Sequence, residues 1–361
     1  MMSGSGTRRK RMQEDEQMEK REQKIAASAG CGVIGSSFAL KFAMAGWKVY
    51  AWNRTEAASE KARACIRHSM ERLVKYHVID EDETEEILDR IVFTNSMKEA
   101  VEHVSFIQES LPETYEIKQE VLKEIERFCP EDTVIASSSS GLLISEIARF
   151  AEHPERMVGG HPYNPPHLIP LIEVTKGEKT SEKVVQRAVE VYRQIGNEPV
   201  VLKKETLGFI CNRLQMALYR EACSLVMRGV CTVEDMDRAM VFGPGIRWAV
   251  MGPSLLFELG GGDGGVAGLL RGLNDSFELW YRDMEDLKRL PEEWQDMAQQ
   301  GVIEEMKHRS SAEGNTRETL EDFRDRMLIA ILKLHGRLPE ASNDRYSAGV
   351  QCMNSRKDLM K

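Results

Sequence analysis

The residues of this chain best suited to moving a proton stand in one short run, His161-Pro162-Tyr163-Asn164-Pro165-Pro166, which continues through Pro170 to Glu173. An imidazole titrates near neutrality, which suits proton transfer to or from an alcohol. At a strand end stiffened by prolines it is better placed for that work than in mid-helix. Glu173, on the next apolar run, is positioned to reach across to the ring, fix its tautomer and stabilise the imidazolium. The other histidines, such as His68, His77, His153 and His308, sit among charged residues and read as surface groups. His161 and His167 lack metal-ligand spacing and a third nearby ligand, so no zinc site is expected.

A second constellation lies near the start of the chain. Gly30-Cys31-Gly32-Val33-Ile34-Gly35 is a GxGxxG that follows a candidate strand and opens a candidate helix. The first glycine permits the tight turn, the second lets the backbone approach a pyrophosphate, and the third lets helix and strand pack closely. The helix N-terminus then meets the phosphates with its unpaired N–H groups. The strand before the loop, Ala26-Ala27-Ser28-Ala29, is small where such strands are usually bulky. At the end of the second strand, where an acid commonly bonds the ribose 2′-hydroxyl of NAD, stand Asn53 and Arg54. An amide does not repel a 2′-phosphate and a guanidinium can hold one, so NADP is compatible with this end of the strand. Asn53 or Thr55 equally suits a cap of the next helix, and Arg54 equally suits stacking on adenine.

These groups need elements to hold them. Short apolar runs at 25–29, 47–52, 91–94, 104–108, 132–137, 156–159, 169–174 and 199–202 alternate with amphipathic stretches, which predicts a parallel sheet covered on both faces. The interval from the second run to the third has room for two helices. Ala62, Cys65, Ile66, Met70, Leu73 and Val74 recur there at helical spacing, and a second helix opens on the acids 81–86. Strand signal fades after Lys204, and helical pattern continues to about Leu334. The expected organisation is a tail over 1–23, a nucleotide-binding domain over 24–203, a helical domain over 204–335 and a tail over 336–361. The fold class is therefore α/β: a Rossmann-type doubly wound parallel sheet with a helical hairpin insertion, followed by an all-α C-terminal domain.

Composition sets the outer bounds. The chain of 361 residues carries 49 Lys+Arg against 58 Asp+Glu, a net charge of −9 that argues against nucleic acid as a partner. No apolar run approaches the ~20 residues a membrane span needs. Residues 1–23 mix basic and acidic side chains around no apolar core, unlike a secretory or transit segment. The seven scattered cysteines form no CxxC pair and suit a reducing compartment, so a cytoplasmic location is expected.

Four motifs together resemble the L-3-hydroxyacyl-CoA dehydrogenases, over roughly residues 24–265: the glycine loop, the cluster Ser137-Ser138-Ser139-Ser140, the His161 segment with Glu173, and Gly208-Phe209-Ile210-Cys211-Asn212-Arg213. The resemblance implies that His161 is the catalytic base and Glu173 its partner. Ser140 and Asn212 match positions that bond the reacting oxygen of the substrate and steady the histidine region. Glu113 and Lys118 match positions near the nicotinamide ribose. Ser138 departs from the family's usual asparagine. By residues alone, 137–140 is also a plain turn after a strand.

Within that family the run from His161 to Leu171 is similar to the branch of L-gulonate dehydrogenase and lambda-crystallin. Gly245-Ile246-Arg247-Trp248 and the glycines at 260–265 look most like carnitine dehydrogenase. Both branches imply a free 3-hydroxy acid, with Arg247 expected to clamp its carboxylate. Trp248 and Trp280 suit a cationic head group, though core packing is the expected role of each. The competing substrate is a CoA thioester, its phosphates meeting Lys61, Arg63, Arg67, Arg72 and Lys75, which otherwise form a solvated face. The expected activity is hydride transfer between a nicotinamide cofactor, NAD with NADP possible, and the 3-hydroxyl of an L-3-hydroxyacyl compound. The resemblance implies a homodimer. The alternative is a non-catalytic structural or nucleotide-sensing protein of the same fold.

Overall fold

The computed structural model describes residues 24–338. The expected tail over 1–23 and most of that over 336–361 lie outside the described residues. Eight strands form one sheet: β1 (Ile25–Ala29), β2 (Lys48–Trp52), β3 (Ile91–Thr94), β4 (Phe106–Glu109), β5 (Val134–Ser137), β6 (Met157–Pro162), β7 (Leu171–Thr175) and β8 (Glu198–Val201). Their order is β3-β2-β1-β4-β5-β6-β7-β8. The chain winds outward from β1 to β3, then returns to the other side of β1 as β4. That reversal is the doubly wound arrangement, and it opens a crevice beyond the carboxyl ends of β1 and β4.

The sheet is not wholly parallel, as the sequence pattern suggested. β6 and β7 pair antiparallel, and β8 follows β7 in parallel. The reason is the length of the connection. A parallel return needs a crossover of about a dozen or more residues, whereas the segment 163–170 makes a hairpin loop.

Helix α1 (Val33–Met44) follows β1 and buries nearly its whole length. Its Phe42 meets the rings of Trp47 and Phe106 at 5.4 and 5.9 Å, and Phe106 meets Tyr192 at 5.5 Å. The small residues of β1 have a structural reason. Ser28 Oγ donates to the Gly35 carbonyl at 2.9 Å, and a Cβ on Gly35 would stand 2.1 Å from the Gly30 carbonyl oxygen. Strand and helix approach so closely there that serine faces glycine with no room for a larger side chain. The insertion consists of α2 (Glu56–Lys75) and the short α3 (Thr84–Asp89). Further helices α4 (Met97–Val101), α5 (Tyr115–Glu126), α6 (Ile144–Ile147) and α7 (Glu182–Gln194) complete the layers.

The chain divides into two compact units. The first runs through Ile210 and regains the chain at Leu332, and the second is Cys211–Ile331. The second unit is helical: α8 (Cys211–Met227), α9 (Val233–Met240), α10 (Ile246–Val250), α11 (Pro253–Gly260), α12 (Gly265–Asp283), α13 (Glu293–His308) and most of α14 (Arg317–Leu334). Its core is small, built on Cys223, Val233 and Trp294. Helices α10, α11 and α12 bury none of their residues. Trp248 and Trp280, expected in a core, are 45% and 55% exposed.

Candidate active site

The reversed strand β7 brings the proton-moving pair together. His161 on β6 lies directly across from Glu173 on β7 in the antiparallel register. The imidazole Nδ1 and Glu173 Oε2 are 2.8 Å apart, and both side chains are buried. With Nδ1–H donated to the carboxylate, Nε2 carries the lone pair available to a substrate hydroxyl. The other oxygen of Glu173 accepts the Ile210 N–H at 2.8 Å. Phe209, held in the left-handed region at φ 50°, sets its ring 5.3 Å from that of His161. Two glycines precede the histidine because the backbone is crowded there. A Cβ on Gly159 would meet Thr175 at 2.3 Å, and one on Gly160 would meet the Tyr192 hydroxyl at 1.7 Å.

The serine cluster is held by a carboxylate. Glu113 Oε1 accepts from Ser139 Oγ and from the Ser140 backbone N–H, both at 2.7 Å, and from the Gly141 N–H at 3.2 Å. Partial burial alone would raise the Glu113 carboxyl. The Ser139 hydroxyl, the Lys118 ammonium and Ser140 outweigh it and hold the group below its ordinary range. Ser140 itself is exposed, while Ser139 is buried. A Cβ on Gly141 would lie 3.5 Å from the Gly208 nitrogen, so this loop passes beside the residue that precedes Phe209.

The glycine loop closes on Asn53. The Cys31 N–H donates to Asn53 Oδ1 at 3.0 Å, and Asn53 Nδ2 donates to Ser59 Oγ at 3.4 Å. Gly30 takes φ +91°, the left-handed turn its position demands. A Cβ on Gly32 would enter open space. Helix α1 begins there with no side-chain cap and no acid in its first turn. An open, uncapped helix start beside a glycine whose missing side chain leaves room is the cradle a pyrophosphate requires, so the residues present fit a dinucleotide.

The comparisons with known proteins agree with this geometry. Residues 25–206 match the 3-hydroxyacyl-CoA dehydrogenase NAD binding domain, and residues 208–305 match the C-terminal domain of the same enzymes. The chain belongs to the 3-hydroxyacyl-CoA dehydrogenase family. It is 36% identical over 320 residues to an L-carnitine dehydrogenase of Streptomyces coelicolor, covering 88% of this chain and 97% of the relative. An L-carnitine dehydrogenase of Pseudomonas aeruginosa is 37% identical over 311 residues, with 86% and 94% covered. Among solved structures, 5-formyl-3-hydroxy-2-methylpyridine 4-carboxylic acid 5-dehydrogenase, an NAD+ dependent dismutase, matches with a TM-score of 0.71 and 31% identity, over 87% of this chain and 99% of that one. This chain is thus an NAD-dependent dehydrogenase, and nothing supports the non-catalytic alternative.

The other expected site residues of this dehydrogenase have defined surroundings. Asn53 is buried, and its amide bonds the glycine loop at Cys31 and the start of α2 at Ser59. The cap of α2 falls to Thr55, which accepts from the Ala58 N–H at 3.2 Å. Arg54 is exposed beside it. Lys118, expected near the ribose, is buried. It donates to both Glu109 oxygens, at 2.8 and 3.1 Å, and stands 3.6 Å from Glu113. Asn212 and Arg247 belong to the second unit, on α8 and α10, where Arg247 is exposed.

Sequence reasoning missed the layer beneath the site. Glu109 also accepts from Ser137 Oγ at 2.5 Å and from the Leu111 N–H at 2.6 Å. Gln108 accepts from the Tyr192 hydroxyl at 2.7 Å and donates to Ser138 Oγ at 2.8 Å and to the Gly160 carbonyl at 3.3 Å. The adjacent polar pair Gln108-Glu109, ending an otherwise apolar strand, was the available signal. Two polar side chains on opposite faces of a covered strand must both find partners.

Proposed function

We propose that this dehydrogenase oxidises the hydroxyl of a small L-3-hydroxy acid carried free, of the carnitine type, with NAD as its cofactor. The observation that carries this is the buried His161–Glu173 pair at 2.8 Å, in a chain aligned almost end to end with carnitine dehydrogenases. His161 Nε2 takes the hydroxyl proton, and Glu173 stabilises the imidazolium so formed. Ser140 and Asn212 hydrogen-bond the substrate oxygen, and Glu113 fixes the loop that carries Ser140. The nicotinamide, when bound, supplies the acceptor for hydride. The glycine loop 30–35 holds the pyrophosphate through the backbone of Gly32, Val33 and Ile34. Exposed Arg54 leaves room for NADP as a weaker partner.

A free acid is favoured over a CoA thioester by the state of the basic residues on α2. Arg63 bonds Glu60 at 3.2 Å and lies 4.1 Å from the centre of the Phe93 ring, and Arg72 is buried. Lys61, Arg67 and Lys75 remain exposed, too few for a built phosphate site. Initial rates with L-carnitine, other free 3-hydroxy acids and matching CoA esters, each with NAD+ and NADP+, test the reading. We expect kcat/KM to be highest for a free acid with NAD+. Arg247→Met should then raise KM for that acid at least about tenfold, the worth of one charge-assisted bond. A preference for the CoA ester, with Arg247→Met silent, would overturn it.

The same reading includes a homodimer formed through the second unit in a cytosolic setting. Phe242, Trp248, Leu255, Leu259, Leu279 and Tyr281 are all at least 45% exposed. Apolar surface of that extent on a helical unit fits a subunit contact. Sedimentation should give a dimer mass at micromolar concentration, and a monomer there would remove this part of the reading. No helix among the described residues is long and apolar enough to cross a membrane, and none of the six described cysteines forms a disulfide.

A further inference from the structure

Lys41 is a charged residue that neither the cofactor loop nor the His161 pair uses, yet it is buried on the inner face of α1. Its ammonium donates to the Pro166 carbonyl at 3.1 Å. One turn earlier on the same helix, Ser37 Oγ shares a hydrogen bond of 3.2 Å with His167 Nδ1. Pro166 and His167 are neighbours in the loop 163–170, which joins the strand of His161 to the strand of Glu173. Within that loop the Leu168 and Ile169 N–H groups both donate to the Pro165 carbonyl. Two side chains of α1 therefore clasp the hairpin that carries the catalytic pair, while the first turn of α1 forms the dinucleotide cradle.

We propose that α1 is a strut linking dinucleotide binding to the alignment of His161 and Glu173, with Lys41 as its positioning residue and Ser37 and His167 as the second contact. This rests on the reading of His161 as the base, but the clasp itself does not. Buried lysine is a poor choice for stability alone, since methionine or leucine fills the same space without desolvating a charge. Burial lowers Lys41 to about 7, so its charge is sensitive to what is nearby. The first turn of α1 is about 12 Å away at 1.5 Å per residue, and phosphates bound there favour the ammonium form and tighten its bond to Pro166. Two further titratable groups bond this helix: His167 from the loop, through Ser37, and Arg90, which donates to the Ala43 carbonyl. Among the described residues no carboxylate stands within ion-pairing distance of Lys41.

Hydrogen exchange at Leu168 and Ile169, with and without saturating NAD+, reads the strut without any substrate. Wild-type protein should show these amides protected about fivefold or more by NAD+, a typical coupling between linked sites. Lys41→Met should still bind NAD+, measured by fluorescence titration, but lose most of that protection, and Ser37→Ala should lose part of it. A purely structural lysine would leave the NAD+-dependent difference intact in a variant that folds and binds. That result, or wild-type amides indifferent to NAD+, would overturn the proposal. Failure of the base assignment shows separately, as turnover surviving in His161→Gln while the exchange difference persists.

Discussion

Replacing His161 by Gln is expected to lower kcat by about 10²–10⁴-fold, the usual contribution of a positioned general base, with NAD+ affinity little changed. Glutamine fills much of the same volume and can still bond Glu173, so the loss reflects proton transfer rather than a collapsed site. Glu173→Gln should cost less, because the imidazole survives and loses only its fixed orientation and the charge that stabilises its protonated form. That variant carries a further signature. The Ile210 N–H, now donating to Glu173 at 2.8 Å, keeps an acceptor in the amide oxygen. The Nδ1–H of His161 must then compete for the same atom or face an amide nitrogen. Stopped-flow rates of reduced nicotinamide formation decide the matter. Near-wild-type turnover in His161→Gln, with the chemical step still limiting, would remove His161 from the mechanism.

The second large effect is on stability, and its sign follows from burial. Lys41 sits at about 7 in the folded protein, against an ordinary value of 10.5 to which it returns on unfolding. At pH values above both, the group is neutral in both states and costs nothing. As pH falls through that window the unfolded chain binds a proton that the native state resists, and the native state loses about 1.4 kcal/mol per pH unit. Below about 7 the cost is complete, on the order of 5 kcal/mol. Lys41→Met should therefore raise the urea midpoint at pH 6, offset by about 1 kcal/mol for the lost bond to Pro166. The two proteins should converge toward pH 10. Parallel pH dependences in wild type and variant would show that Lys41 is solvated in the folded state. A residue that costs stability at neutral pH is retained for another reason, which is what the strut requires.

How much of this was legible in the sequence depended on whether a residue's partner was close along the chain. All eight strands stood out as apolar runs, and His161 and Glu173 could be paired because they lie on consecutive runs. The direction of β7 was not read, although the eight residues of 163–170 are too few for a crossover. Apolar composition marks a strand without marking its direction, and only the connection length does. Lys41 stands in Phe38-Ala39-Leu40-Lys41-Phe42, where a single lysine reads as the solvent side of a helix. Its burial is created by a loop more than a hundred residues later. Asn53 was located correctly at the end of β2, yet its amide turns inward to Cys31, a rotation that no spacing encodes. In the second unit the helices followed from periodicity, whereas the exposure of Trp248 and Trp280 did not, because an apolar face carries no mark of what covers it.

The hairpin of β6 and β7 makes catalysis dependent on a single strand pairing. His161 faces Glu173, Gly160 faces Val174 and Gly159 faces Thr175. A slip of one residue would send the imidazole and the carboxylate to opposite faces of the sheet. Strands β1 to β5 and the glycine loop have no part in that pairing, so a misregistered molecule would keep its nucleotide cradle and most of its core. In a preparation of this protein, dinucleotide stoichiometry would count every folded molecule, whereas single-turnover amplitude would count only those in register. The shortfall between the two numbers would measure the fidelity with which one hairpin finds its alignment, a quantity that melting curves and spectra of the bulk protein average away.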